Sequence, residues 1–256
     1  MKVVILAGGL GTRLAEETEV KPKPMVEVGE KPILWHIMKH YACYGFNEFI
    51  IALGYKGDVI KRFFLEHTAL HHSFSIDMKT GKVSTGKEAP ENWLVHLVDT
   101  GLDSSTGGRI ARVRDYLDDE TFMLTYGDGV ANVDLHALLA LHKNYGRIAT
   151  LTAVRPPARF GGLVFDGDAI VQFTEKPQIG EGWINGGFMV MEPQILDYIS
   201  SDATNLEVDV LEQLAGEGQL VAYRHDDFWQ CMDTLRDKKL LESLWQQGNA
   251  PWKTWQ

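Results

Sequence analysis

Val3-Val4-Ile5-Leu6-Ala7 is an unbroken apolar run that stops at Gly8-Gly9. A short run rich in branched residues and ended by glycine predicts a buried strand over Val3–Ala7. Ile33–Tyr44 has a different rhythm. Ile33, Trp35–Ile37, Tyr41 and Tyr44 recur at helical spacing and predict a helix. Further along, Phe49–Leu53 predicts a strand, Asp58–His67 a helix, and Phe122–Thr125 a strand ending at Gly127-Asp128-Gly129. Asp134–Tyr145 predicts a helix closed by Gly146, and Ala149–Val154 the strand after it. Strands alternating with helices predict an α/β fold with a mainly parallel sheet covered on both faces.

Two segments break the alternation. His71–Asp99 reads as extended pieces with turns at Thr80-Gly81 and Gly86-Lys87. Phe160–Phe188 reads as short strands around Asp166-Gly167-Asp168, followed by Gly180–Gly182. Both are expected as insertions on the sheet's edge or rim. The tail "GNAPWKTWQ" carries two tryptophans, so it is expected to pack against its own body or a neighbouring subunit.

The chain's 256 residues suffice for one large domain or two small ones, and no linker divides it. A net charge of -10 argues against nucleic acid as a partner, because that binding needs many exposed Lys and Arg. Cys43 and Cys231 sit in apolar sequence and read as reduced, buried thiols, which fits a cytoplasmic setting. The first apolar stretch is too short for a signal peptide, and no run is long enough to span a membrane.

In open parallel sheets, ligands sit beyond the carboxyl ends of strands. Gly8, Gly9 and Gly11 lie at such an end, where bare backbone N–H groups can reach phosphate oxygens. Thr12 and Arg13 add a hydroxyl and a charged fork. A tight structural turn would use the same glycines. The dinucleotide fingerprint fails because Leu14 stands where its third glycine belongs, which disfavours a nicotinamide-dependent oxidoreductase. Gly81–Lys87 nearly makes a P-loop, but Glu88 replaces the hydroxyl residue that would meet magnesium. Pro22 and Pro24 stiffen "KPKPM", bias it to extended geometry and can hold Lys23 at a fixed distance from the glycine loop. His36/His40 and His67/His71 are spaced four apart without an evident third metal ligand, so packing or surface roles are expected.

"LAGGLGTRL" followed by "KPKPM" resembles the signature of the sugar-1-phosphate nucleotidyltransferases. The resemblance continues through "YGDG" (126–129), "EKP" (175–177), "NGGF" (185–188) and "WQCMDT" (229–234), so it spans the whole chain in the family's order. Within the family, "EETEVKPKPM", "DTG…TGGR" and "PWKTW" resemble the glucose-1-phosphate cytidylyltransferases most. The thymidylyl and uridylyl members carry a proline soon after the first arginine, where this chain has Ala15 and Glu16. The resemblance implies a Rossmann-like fold of the nucleotide-diphospho-sugar transferase type. It implies one domain over 1–256, with a nucleotide-binding part over about 1–130 and a sugar-phosphate part over about 131–256. The implied partners are CTP and a sugar 1-phosphate, the implied cofactor Mg2+, and the implied assembly a homo-oligomer, with a hexamer as one form.

The same resemblance assigns the residues. Leu6, Ala7, Gly8, Gly9, Gly11, Thr12 and Arg13 would cradle the nucleotide, with Ser104 and Arg109 beside them and Thr100 a weaker candidate. Arg13 would steady the pyrophosphate and Lys23 would contact the phosphate undergoing substitution. Asp128 and Asp233 would hold magnesium. Glu175, Lys176, Asn185 and Gly186 would take the sugar phosphate. The implied reaction is attack of the sugar phosphate on the α-phosphorus of CTP, giving CDP-glucose for deoxysugar and surface-polysaccharide (O-antigen) synthesis. Uridylyl or thymidylyl transfer, and a non-catalytic nucleotide-sensing subunit on the same fold, are the alternatives.

Overall fold

Alternate side chains of β1 (Val3–Ala7) enter opposite cores: Val3, Ile5 and Ala7 join one, Val4 and Leu6 the other. β2 (Glu48–Leu53) divides the same way, with Phe49, Ile51 and Leu53 set against Ile50 and Ala52. A strand buried on both faces has no polar side to show, so both read as continuous apolar runs. The computed structural model describes residues 1–11, 14, 18–70, 74–85, 91–156, 162–166, 169–174 and 182–255.

β1 and β2 belong to an eight-stranded sheet with β3 (Leu94–Asp99), β4 (Phe122–Tyr126), β5 (Ala149–Val154), β6 (Ile184–Asn185), β7 (Met189–Met191) and β8 (Leu220–His225). Its order is β3-β2-β1-β4-β7-β5. β8 pairs the whole of β5, while β7 and β6 pair the first and last residues of β5. The first four strands are mutually parallel, and β7 is antiparallel to both β4 and β5. One core packs α1 (Ile33–Cys43) and α2 (Gly57–Leu70), and the other packs α3 (Thr106–Arg112) with a π-helix over Leu206–Leu211. This is the mixed, mainly parallel α/β sheet that the sequence predicts.

Caps set several boundaries. Asp134 precedes the helix Leu135–Tyr145, and its Oδ1 accepts from the N–H groups of His136 and Ala137. Gly146 ends that helix at φ 55°, a conformation that favours glycine. Thr234 and Asp237 form a capping box at the start of the helix Leu235–Gln246.

The structure departs from expectation in five places. The helix expected over Asp58–His67 runs from Gly57 to Leu70. Leu94–Asp99 is not part of a rim insertion; it is the sheet's own edge strand, parallel to β2. Only partly buried, it interleaves His96 with apolar residues and so lacks the signature of β1. What projects is a hairpin of Phe74–Asp77 and Lys82–Thr85. Likewise Gly162–Asp166 and Ala169–Thr174 form a separate hairpin, while Ile184–Asn185 joins the main sheet. "KPKPM" is extended only at Pro22; Lys23–Met25 is a 3-10 turn closed by Val26 N–H to Lys23 O at 3.0 Å. Proline fixes φ but not ψ, and the closing bond decides between the two geometries. Cys43 is exposed and Cys231 half-buried, so neither is a core thiol. Cys43 lies four residues after Lys39, on the outer stripe of α1. The turn at Gly86-Lys87, the residues Gly167 and Asp168, and His71 lie outside the described residues.

The tail packs on its own body. Trp252 is 1% exposed, stacks on Phe228 with ring centres 5.6 Å apart, and donates its indole N–H to His36 Nδ1 at 3.3 Å. His36 Nε2–H donates to Val28 O at 2.8 Å. His40 is satisfied similarly, by Val133 O at Nε2 and the Thr254 hydroxyl at Nδ1, both at 3.0 Å. Each ring is therefore a neutral imidazole with one donor and one acceptor engaged.

Burial pushes both histidines down to about 4, outweighing the backbone hydrogen bonds that act the other way. Between that value and the ordinary 6.5 the unfolded chain binds more protons than the folded one, so stability falls as pH falls. Lowering the pH from about 7 to about 5.5 should cost roughly 2 kcal/mol from this pair. Urea unfolding at the two pH values checks this. A loss of the same size in a variant lacking both imidazoles (His36→Gln with His40→Gln) would assign the acid sensitivity elsewhere.

Candidate active site

β1 and β4 are adjacent parallel strands, with Leu6 beside Tyr126, so their carboxyl ends open at the same edge. The glycine loop leaves β1 there and Gly127-Asp128 leaves β4. Gly127 N–H holds Leu6 O at 3.0 Å. The Pro24 ring comes so close to Gly127 that a Cβ there would stand 2.9 Å from it. That contact seats the Lys23–Met25 turn against the sheet edge.

Asp233 reaches this edge through a second pairing. Gly129–Ala131 and Trp229–Cys231 form a two-stranded antiparallel ladder with Cys231 opposite Gly129. Met232 N–H then donates to Asp128 O at 2.8 Å. Each aspartate thus lies just beyond the ladder, and both carboxylates turn to one nitrogen. Lys23 Nζ donates to Asp128 Oδ2 at 2.7 Å and to Asp233 Oδ1 at still closer range. Burial alone would lower the Lys23 pKa, but the two carboxylates outweigh it and the net shift is upward. The Asp237 carboxylate fixes the Asp233 main chain by accepting from Asp233 N–H at 3.1 Å and Thr234 N–H at 2.9 Å.

The glycines divide by cause. A Cβ on Gly8 would stand 2.3 Å from the Arg109 guanidinium carbon. Gly11 has φ +65° and faces Thr18. Gly9 is different: a Cβ there would meet no protein atom within 4 Å. Gly9 lines a cleft of about 420 Å³ with Lys23, Ser104, Arg109, Asp128 and Asp233, and Leu6 and Ala7 form its floor. Thr100 lies just outside it, holding Leu53 O at 2.7 Å.

Arg109 is 5% exposed. Its NH1 and NH2 groups meet five oxygens: those of Gly8, Leu53, Gly101 and Leu102 and the Thr100 hydroxyl, at 2.7–3.2 Å. None is a carboxylate. Burial, then nearby Arg112, pushes its pKa down, the direction expected of a buried charge that no anion neutralises. Ser104 donates its hydroxyl to Thr100 O. Arg109 and Ser104 therefore build the cleft wall through internal bonds.

A second cleft of about 330 Å³ opens on the far side of Asp128 and is lined by Asn185, Gly186, Trp229 and Cys231. Tyr126, Asp128 and Asp233 line both clefts. Gly186 must be small, since a Cβ would fall 2.6 Å from Val154, and its carbonyl accepts the Trp229 indole N–H at 2.7 Å. Burial first, then Asp233 and Asp128, pushes the Cys231 thiol up to about 12, so it remains protonated and unreactive. A larger groove of about 960 Å³ lies beside the 3-10 turn Pro193–Tyr198, away from these groups, and among the described residues no Lys or Arg lines it.

Asp128 and Asp233 offer only oxygen and converge on one point, which suits a hard divalent cation. Among the described residues, no group of three or more His, Cys, Asp or Glu could hold a metal alone. A site of two carboxylates, completed by substrate phosphate and water, fits that chemistry. Of the residues expected in the site, Thr12, Arg13, Glu175 and Lys176 lie outside the described residues. Sequence reading passed over Tyr126, which joins the two clefts; its place next to Gly127-Asp128 was the available signal. Thr106, which with Tyr126 donates to Glu207, stood unremarked in the TGGR stretch, and Glu207 carried no signal.

The arrangement can hold a polyanion against a glycine loop and a lysine, beside a second cleft that carries Asn185. The nucleotidyl transferase family model matches residues 2–242. The glucose-1-phosphate cytidylyltransferase of Salmonella typhi is 53% identical over the full length of both chains. The mannose-1-phosphate guanylyltransferase catalytic subunit beta of Dictyostelium discoideum is 31% identical over 95% of this chain and 64% of its own. Among solved structures, HddC from Yersinia pseudotuberculosis complexed with GMP-PN superposes with a TM-score of 0.71 at 24% identity, covering 95% of this chain and 99% of that one. Matched along nearly its whole length by family, relatives and fold, the chain belongs to the nucleotidyl transferase family.

Proposed function

We propose that the protein transfers the cytidylyl group of CTP to α-D-glucose 1-phosphate, releasing pyrophosphate and forming CDP-glucose. The observation that carries the chemistry is the Lys23 ammonium between Asp128 and Asp233, where the two clefts meet. The choice of base and sugar rests on full-length identity to the Salmonella typhi enzyme.

In this reading, a sugar-phosphate oxygen attacks the α-phosphorus and the bond to the bridging oxygen of pyrophosphate breaks in line. A phosphate nucleophile is already ionised near neutrality. No general base is required, and among the described residues no histidine lines either cleft. The catalytic task is to bring two polyanions together and hold them. Gly9 leaves room for the triphosphate against bare backbone. Arg109 adds positive potential at the loop without touching an acid. Lys23 would exchange its two carboxylates for phosphate oxygens, while Asp128 and Asp233 would hold Mg2+, which when bound would neutralise developing charge. Arg13 and Thr12 would continue the triphosphate cradle, and Glu175, Lys176 and Asn185 would hold the sugar phosphate. We further read the protein as a cytoplasmic homo-oligomer that supplies an activated sugar for polysaccharide synthesis. Among the described residues, no helix is long and apolar enough to cross a membrane.

A panel of CTP, UTP and dTTP against glucose-, mannose- and N-acetylglucosamine-1-phosphate tests the reading. CTP with glucose 1-phosphate should give the highest kcat/KM. Equal or faster turnover of UTP or dTTP would remove the cytidylyl assignment and leave the family intact.

Asp128→Asn and Asp233→Asn should each cut kcat by about 10²-fold or more, the scale of losing one transition-state contact. The double variant should lose far less than the product of the two, since the pair acts as a unit. Multiplicative losses with an unchanged Mg2+ dependence would return one aspartate to a structural role.

Lys23→Ala leaves two carboxylates facing each other without their ammonium. Mg2+ should therefore raise the Tm of this variant more than that of the wild type, since at a given concentration a ligand stabilises the fold more the more tightly it binds. Equal Tm shifts in EDTA-controlled melts would show that lysine and metal do not share the carboxylates.

A further inference from the structure

Glu207 lines neither cleft, yet it grips groups from both. It lies in the π-helix Leu206–Leu211, whose N-cap is Asn205. Its Oε1 accepts the Tyr126 hydroxyl at 2.6 Å and its Oε2 accepts the Thr106 hydroxyl at 2.7 Å. Thr106 opens α3 on the wall of the first cleft. Tyr126 belongs to both clefts, and its oxygen meets Asn185 Nδ2 at 3.2 Å in the second. Asn185 Oδ1 takes the Gly187 N–H at 2.9 Å. A continuous chain of hydrogen bonds therefore runs Thr106–Glu207–Tyr126–Asn185–Gly187 between the two clefts.

The direction of each link follows from the donor inventory. An ionised carboxylate only accepts, so both hydroxyls must donate to it. Thr106 can do so because its oxygen already accepts from Leu206 N–H at 2.9 Å. Tyr126 has a single proton, committed to Glu207, and can offer Asn185 only a lone pair. The Asn185 amide must then turn its NH2 toward Tyr126, which agrees with the Gly187 N–H on its oxygen. One N–H and one lone pair of the amide remain for a ligand in the second cleft.

We propose that Glu207 is a positioning residue: by claiming the Tyr126 proton, it fixes which end of the Asn185 amide faces the sugar phosphate. This rests on the reading that the second cleft takes the sugar phosphate. The function required of Glu207 is acceptance, not charge. Glutamine can supply it, with its carbonyl toward Tyr126 and its amide toward Thr106. Alanine cannot, and the phenol is then free to donate toward the amide and compete for its oxygen.

The test uses the full enzyme and whichever sugar 1-phosphate the substrate panel selects. Glu207→Ala should raise KM for the sugar phosphate about tenfold, the scale of one mis-set polar contact, with KM for CTP within about twofold. Glu207→Gln should restore most of the loss. Tyr126→Phe should reproduce the alanine effect, and adding Glu207→Ala to it should cost nothing more. Where alanine does not fold, Glu207→Asp takes its place, with the same charge one methylene short. A rise in KM for CTP as large as that for the sugar phosphate, failure of glutamine to rescue, or losses that multiply with Tyr126→Phe would each overturn the inference. If only nucleotides bind and no sugar phosphate is turned over, the proposed function itself falls. A flat Glu207 series in an active enzyme overturns this inference alone.

Discussion

One ammonium between two carboxylates organises the centre of this molecule. Lys23, Asp128 and Asp233 come from three distant parts of the chain, with 105 residues from the lysine to the first acid and 210 to the second. Each arrives by a different device: a proline-framed turn, the end of a central strand, and a short ladder that lays Trp229–Cys231 against Gly129–Ala131. The ladder is the critical one. It is only three residues long, and it sets the register in which Asp233 emerges beside Asp128. The capping box at Thr234 and Asp237 then starts a helix at once, so that no slack remains between ladder and helix.

Electrostatics at the site run against the protein's overall sign. The chain carries a net charge of -10, yet the proposed substrates are polyanions. Arg109 is buried among neutral oxygens, so its charge is not cancelled by a neighbouring acid. Lys23 is neutralised, but by groups that a metal ion can take over. A local positive field can coexist with an acidic surface because screening in water confines surface charges to about a Debye length.

What the sequence disclosed follows from how strongly each feature depends on local residues. Val3–Ala7 was legible to the residue, because burial on both faces leaves only apolar choices; Ala149–Val154 was equally legible from its β-branched run, although its buried Thr150 and Thr152 need His142 and the Phe188 carbonyl as hydrogen-bond partners. Asp134 and Gly146 marked their helix because caps need particular side chains and a left-handed turn. The edge strand Leu94–Asp99 was hidden by its half exposure. The turn at Lys23 was misjudged because proline restrains one dihedral and leaves the other to a hydrogen bond. Lys23, Asp128 and Asp233 were singled out through motif resemblance; their convergence on one nitrogen depends on a ladder between segments a hundred residues apart. The role of Gly8 was equally out of reach, since the atom that forbids a side chain there belongs to Arg109.

The tail's embrace of α1 also bears on how the chain is made. His36 and His40 lie early in the sequence, and their partners Trp252 and Thr254 follow 216 and 214 residues later. A ribosome delivers the helix long before the groups that complete its buried imidazoles. Until those residues emerge, one face of the first layer stays wet, and the nascent chain cannot seal this core in the order of its synthesis. Closure of that face therefore waits until Trp252 and Thr254, the later-made partners of the two imidazoles, have been synthesised.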